Sequence, residues 1–188
     1  MYRPTHPSLV DRVVIVTGGG RGLGRVMALA LVQAGAKVVV TGARSTRELD
    51  ATVADGRLLG RGSIDGLVAD VSDRAACDEV VRFATDRFGP VEVLVNNAAR
   101  APAEQNLPEA PDQRAKFWMM PHEAILRLLV TNVGGVWAMA QAVLPGMIAR
   151  GRGKIVNIST SRPTMVYQTS GIYGPCKAAV EASSRIWA

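Results

Sequence analysis

From Arg12 onward, short β-branched runs alternate with longer stretches of helical periodicity. Alternation of this kind marks successive βα units, which build a parallel sheet covered by helices. Val13 to Val16, Val38 to Val40, Leu67 to Ala69, Val91 to Val95 and Ile155 to Ile158 read as the strands. Their apolar character is nearly continuous, as expected of strands buried on both faces. Between them, Leu23, Met27, Ala30, Leu31 and Ala34 share one helical face, and Cys77, Val80, Val81, Ala84 and Phe88 share another. A longer helix carries Ile125, Leu128, Leu129, Val133, Val136, Trp137, Ala140, Leu144 and Met147 on its apolar stripe. Asn132 falls on the same stripe, where an amide needs partners for its hydrogen bonds.

With 188 residues, 48% of them hydrophobic, the chain has material for the core of one domain spanning residues 1–188. Its longest apolar runs stop short of a membrane span, and Met1 to Val10 lacks a secretory layout. These features predict a cytoplasmic protein with no membrane contact. Cys77 and Cys176 stand in unrelated segments, and His6 and His122 form no cluster with them, so no metal site is expected. The net charge of +6 raises nucleic acid as a partner, but the arginines are scattered and aromatic residues make up only 5% of the chain. A solvated basic surface that accepts phosphate-bearing small molecules fits better, and no nucleic-acid partner is expected.

Between Asn97 and Pro121 the chain is rich in Pro, Ala and charge. A connection that long in an α/β domain is expected to be a functional loop bordering a substrate. The final segment, Tyr173 to Ala188, reads as a helix with no strand after it.

Directly after the first strand stands Thr17-Gly18-Gly19-Gly20-Arg21-Gly22-Leu23-Gly24, and the helical pattern begins inside it. Glycines permit a tight turn and close approach of a pyrophosphate, and a helix N-terminus offers unpaired N–H groups with a favourable dipole. A turn so placed is a cradle for a dinucleotide.

The spacing of Thr17, Gly18, Gly22 and Gly24 resembles that of the short-chain dehydrogenase/reductase family. Further matches follow in order along the chain: Asp70-Val71, Asn96-Asn97-Ala98-Ala99, Asn132, the hydroxyl cluster Ser159-Thr160-Ser161, and Tyr173-Gly174-Pro175-Cys176-Lys177. The resemblance implies a Rossmann-like, doubly wound α/β fold. Five strands of its parallel sheet are visible, and the family's C-terminal strands are missing from this NAD(P)-binding domain. It implies that Asp70 meets the adenine ring with Val71 packed beside it, and that Asn97 and Ala98 line the cofactor ribose. Gly18, Gly20, Arg21, Gly22, Leu23 and Gly24 would hold the pyrophosphate. Ala99 stands where the family usually has glycine, adding one methyl near the cofactor.

An acidic residue near the end of the second strand accepts the ribose hydroxyls in NAD-preferring units. Here the segment is Val40-Thr41-Gly42-Ala43-Arg44, with no acid, so Arg44 and Arg21 are expected to clasp a 2′-phosphate and favour NADP(H) over NAD(H).

Tyr173 and Lys177 lie four residues apart on a helix, so the ammonium is expected beside the phenol, where a positive charge favours the phenolate. By resemblance Tyr173 is the general acid or base, Lys177 also holds the nicotinamide ribose, and Asn132 bends its helix around a water to relay protons. The family spacing before Tyr173 lands on Thr160 as the hydroxyl that polarises a substrate carbonyl. Ser159 or Ser161 would serve if the loop length differs. Cys176 is expected to be a packed bystander. Arg162, Tyr167 and Gln168 are candidates for substrate contact.

The expected function is NADP(H)-dependent interconversion of a small-molecule carbonyl and alcohol, by a homodimer or homotetramer in the complete family member. Two alternatives keep the fold without turnover, an NADP(H)-binding sensor and an inactive truncated fragment. A sheet lacking its later strands is expected to leave the fifth strand unpaired, with poor activity and a tendency to aggregate.

Overall fold

A computed structural model of the chain describes residues 9–100, 106–107, 110–114, 116–166 and 171–188, with backbone alone at 106–107 and 110–114. In chain order the elements are β1 (Val13–Val16), α1 (Gly22–Gln33), β2 (Lys37–Gly42), α2 (Thr46–Leu58), β3 (Ser63–Val68), α3 (Arg74–Phe88), β4 (Val93–Asn96), β5 (Asn106–Leu107), β6 (Ala110–Arg114), α4 (His122–Leu129), α5 (Gly135–Ala149), β7 (Lys154–Asn157), α6 (Arg162–Met165) and α7 (Tyr173–Trp187). A five-stranded parallel sheet has the order β3-β2-β1-β4-β7. From β1 the sheet winds one way to β2 and β3 and the other way to β4 and β7. This Rossmann-like, doubly wound arrangement opens a crevice beyond the carboxyl ends of β1 and β4, where the winding reverses.

Alternate residues of the central strands feed opposite layers, because successive side chains of a strand point to opposite faces. Val13, Ile15, Val39 and Leu94 pack with Cys77, Val80 and Ala84 of α3 and with Met139, Val143 and Met147 of α5. On the other face Val14, Val16, Val38, Val40 and Val95 pack with Ala28 and Val32 of α1 and Leu49 and Val53 of α2. Both faces being covered explains why these strands are continuous apolar runs in the sequence.

Several boundaries differ from the sequence reading. β3 begins at Ser63, ahead of the expected Leu67, because Ser63, Asp65 and Gly66 interrupt the apolar pattern of an edge strand whose only partner is β2. There Asp65 faces cations, accepting from Arg87 Nε at 2.9 Å. Helix α2 carries too narrow an apolar stripe for periodicity to reveal it. Its start is nevertheless written in Ser45 and Glu48, since the Ser45 hydroxyl accepts from Glu48 N at 3.2 Å. Part of the segment expected to be a functional loop is an antiparallel hairpin of β5 and β6, followed by a 3-10 turn at Phe117–Met119.

A π-helical segment, Val130–Gly134, joins α4 to α5, so that one helix runs 28 residues from His122 to Ala149. By length and composition it is apolar enough to cross a membrane, against the expectation that no stretch reached that size. Arg127, Asn132 and Gln141 divide it into shorter apolar runs in the sequence. In the fold 44% of its most apolar window is buried, with Val136, Met139, Val143 and Met147 turned inward.

Leu94 is fully buried at the centre of the sheet. Leu94→Ala is expected to lower unfolding free energy by about 2–5 kcal/mol, seen as a reduced urea midpoint at unchanged slope.

Candidate active site

The crevice is built from the turns that leave β1 and β4. At the end of β1 Thr17 is buried, and its hydroxyl accepts the backbone N–H groups of Asn97 and Ala98, each at 3.0 Å. In return, the Asn97 amide donates to the carbonyls of Thr17 (2.9 Å) and Gly18 (3.1 Å). The two turns are thereby laced together. The lacing demands glycine at two points. Gly18 has φ +65°, in the left-handed region, and a Cβ there would also stand 3.0 Å from Ala98 Cα. A Cβ at Gly24 would lie 2.2 Å from Gly18 O.

Helix α1 begins without a side-chain cap and with no acidic residue in its first turn. Its early N–H groups therefore have no side-chain acceptor, and the dipole there favours an anion. The space in front of it is a cleft of about 690 Å³. Gly18, Gly20, Arg21, Gly22, Leu23, Gly24, Arg44, Asp70, Val71, Asn97 and Ala98 all border it, as do Gly42, Ala99, Arg100 and Thr131. A glycine-tight turn, bare helix N–H groups and flanking arginines fit the pyrophosphate and sugars of a dinucleotide.

Several of these side chains also bond within the protein. Asn97 borders the cleft, but its amide is spent on the glycine turn, so it acts as a brace. Asp70 accepts from Ser72 N at 2.9 Å and Ser72 Oγ at 2.7 Å, while the cap of α3 is Asp73, which accepts from Ala75 N at 2.9 Å. Burial pushes the Asp70 carboxyl up. The Ser72 hydrogen bonds, with Arg100 and Arg44 nearby, outweigh that and leave it below its ordinary value. Arg21 stands 3.8 Å from Glu48 Oε1, with its side chain 82% exposed, a pairing of small energetic consequence.

Asn132 sits fully buried in the π-helical segment. Its Oδ1 accepts from Arg100 N at 2.7 Å and its Nδ2 donates to Arg100 O at 3.2 Å. Beside it, Arg100 Nε donates to Thr131 Oγ1 at 3.1 Å. The side chain expected to take part in a proton relay thus fastens the exit of β4 to the long helix.

Tyr173 and Lys177 are brought together on α7. The Lys177 Nζ lies 5.8 Å from the centre of the Tyr173 ring and donates to Ile158 O at 2.7 Å. Burial, reinforced by Cys176, pushes the Tyr173 phenol above its ordinary value. Burial also pushes Lys177 below its own, with Cys176 opposing. Desolvation is the leading cause at both groups, and the ammonium is directed at a carbonyl. The Cys176 thiol is fully buried and raised by burial, the setting of a packed residue.

Of the three hydroxyls after β7, Ser159 donates to Glu181 Oε1 at 2.7 Å. Ser161 caps α6 and meets Thr164 Oγ1 at 2.9 Å. Thr160, between them, is half-buried and has no hydrogen bond among the described residues. Arg162 is exposed, and Tyr167 and Gln168 lie outside the described residues. Arg100 and Glu181 escaped the sequence reading, and Thr17 entered it as part of the glycine motif without its bracing role. Arg100 and Glu181 left no local signal there.

The model of the family described as short chain dehydrogenase matches residues 12–188. An uncharacterized oxidoreductase of Staphylococcus aureus is 31% identical over 172 residues, covering 92% of this chain and 68% of the relative. Among solved structures, an NAD+-bound xylitol dehydrogenase has a TM-score of 0.85 at 26% identity, covering 96% of this chain and 65% of that one. A metagenomic short-chain oxidoreductase in complex with NADP has a TM-score of 0.83 at 28% identity, covering 96% of this chain and 76% of that one. The chain thus spans about two thirds of the length of the Staphylococcus protein and of xylitol dehydrogenase. On its sequence match and its fold, the chain belongs to the short-chain dehydrogenase/reductase family.

Proposed function

We propose that this chain is the nucleotide-binding and proton-transferring part of an NADP(H)-dependent oxidoreductase that interconverts a carbonyl and a secondary alcohol. The observation that carries the reading is the Tyr173–Lys177 pair, with the ammonium 5.8 Å from the phenol ring. When bound, the nicotinamide supplies or accepts the hydride. Tyr173 donates its proton to the carbonyl oxygen in reduction and takes it back in oxidation. Burial pushes the phenol above its ordinary value, which favours the protonated form needed for reduction. Thr160, the hydroxyl not engaged elsewhere, hydrogen-bonds the same oxygen. Lys177 holds the ribose hydroxyls next to Tyr173, and Asn132 supports the site by bracing Arg100.

Asp70, Val71 and Ala98 form the adenosine side of the cleft, and the turn from Gly18 to Gly24 takes the pyrophosphate. Preference for NADP(H) rests on Arg44 and Arg21 at the cleft and on Gly42 at the end of β2. The nearest atoms to a Cβ at Gly42 would be those of the Leu49 side chain, at 3.6 Å, an ordinary contact, so a side chain fits there, and the acid that would select NAD(H) is absent. Relatives with NAD+ and with NADP both occur, so this choice belongs to the residues of each chain. Two buried, free cysteines accord with a cytoplasmic location. Exposed Val130, Trp137 and Ile186 accord with a homodimer or homotetramer.

Tyr173→Phe is expected to abolish nearly all turnover of a ketone panel while NADPH affinity stays close to the parent's. Retained turnover within about tenfold would remove Tyr173 from its role. Lys177→Met is expected to weaken both turnover and NADPH binding, measured by steady-state rates and fluorescence titration. For cofactor choice, Arg44→Ala and Gly42→Asp are each expected to erode the preference for NADPH over NADH by about 1–2 kcal/mol in dissociation constants. Equal affinities for the two cofactors in the parent would refute it.

A further inference from the structure

Tyr173, Lys177 and Glu181 follow one another at four-residue spacing on α7 and so share a face. That face meets the chain leaving β7. The Lys177 ammonium donates to Ile158 O at 2.7 Å, and one turn further on Glu181 Oε1 accepts from the Ser159 hydroxyl, also at 2.7 Å. At the other end of the segment, a Cβ on Gly174 would fall 2.0 Å from Met165 O, so α6 ends in direct backbone contact with the first turn of α7. Thr160 is strung between these fastenings. The backbone supplies little else: Ile158 N reaches Asn96 O at 2.9 Å, and among the described residues no backbone hydrogen bond holds Ser159 or Thr160.

We propose that Glu181, acting through Ser159, is a positioning residue that sets the place of the Thr160 hydroxyl relative to Tyr173. The proposal rests on the reaction assigned above. A peptide plane is rigid, so once the Ile158 carbonyl and the Ser159 side chain are tied, few torsions remain to place Thr160. The tie is a charge-assisted hydrogen bond from a hydroxyl to a carboxylate, the stronger kind. The other neighbour of Glu181, Arg185 at 3.6 Å with its side chain 78% exposed, is a weak surface contact that does not explain the carboxylate. The same helix thus carries the proton-transferring tyrosine and, two turns on, the group that fixes the second contact to the substrate oxygen. Errors of about 1 Å in such a contact cost up to roughly a hundredfold in rate.

The test measures kcat, KM and NADPH affinity for Ser159→Ala, Glu181→Ala, Glu181→Gln and the double alanine variant of the full natural chain, each with and without Thr160→Val. Amide hydrogen exchange over residues 158–165 is followed in parallel. Both single alanine variants are expected to lose about tenfold in kcat, with KM and NADPH affinity within about twofold of the parent. The double alanine variant is expected to be no worse than either single one, because both remove the same bond. Glu181→Gln keeps the acceptor oxygen and is expected to recover most of the rate. In the Thr160→Val background the losses should vanish, which a general loss of structure would not produce. Alanine variants with the parent's kcat, or losses that persist undiminished beside Thr160→Val, would overturn the positioning role. A parent without turnover would refute the assigned reaction, and exchange would then decide. Faster exchange near Thr160 in Glu181→Ala but not in Glu181→Gln supports the tie, and unchanged exchange overturns it.

Discussion

β1 and β4 lie side by side in a sheet covered on both faces, so all of β1 and β4 from Leu94 onward are buried away from water. Polarity has to be resolved where the strands end. An unpaired buried donor or acceptor costs about 1–3 kcal/mol, and the turns after both strands bring several such groups together. The solution is reciprocal: the Thr17 hydroxyl takes two N–H groups from the β4 exit, and the Asn97 amide returns to two carbonyls of the β1 exit. Once these are paired, the turn is drawn so close that Gly24 sits against Gly18 O. The early N–H groups of α1 are left facing the cleft. The cradle is thus a consequence of burying a parallel sheet, and the residues that shape it are braces as much as ligands.

A second set of bonds carries this order away from the sheet centre. Asn132 fastens Arg100 to the long helix at its π-helical segment, where the altered winding admits the amide. Asn96 donates to Asn157 at 2.9 Å, and Asn157 donates to Ser184 at 2.9 Å, linking β4, β7 and α7. The Trp137 indole donates to Ser183 at 3.0 Å, and its ring meets Trp187 edge-on at 5.1 Å. Helix α7 is therefore held by polar contacts as well as packing. That matters because it carries Lys177 into a buried place, where an ammonium is tolerated only with an acceptor such as Ile158 O. Burial acts on both sides of the pair, pushing the Tyr173 phenol above its ordinary value and Lys177 below its own.

Much of this was legible in the residues. Central strands buried on both faces announce themselves as apolar runs, and the glycine turn and the Tyr173–Lys177 spacing are local patterns that survive without knowledge of the fold. Legibility failed where an element is only partly buried. β3, on the edge, mixes Ser63 and Asp65 with its apolar residues, and α2 shows a cap more clearly than a stripe. It stopped short again at the protein partners of polar residues, since nothing local to Asn97 or Asn132 names the Thr17 and Gly18 carbonyls or the Arg100 backbone to which they bond.

The sequence by itself determined the alternation of strand and helix, the position of the cradle after β1, and the presence of phenol and ammonium on one helix face. These follow from periodicities of two to four residues, which any chain of this pattern must obey. Tertiary structure alone decided which hydroxyl after β7 has no hydrogen bond among the described residues, that Asn97 braces a turn, and that Tyr173 is desolvated. Each of those depends on groups far apart in the chain, such as Thr17 and Asn97, 80 residues away. A hydrogen bond's partner and a charge's solvation are set by what the fold brings near, which no local pattern records.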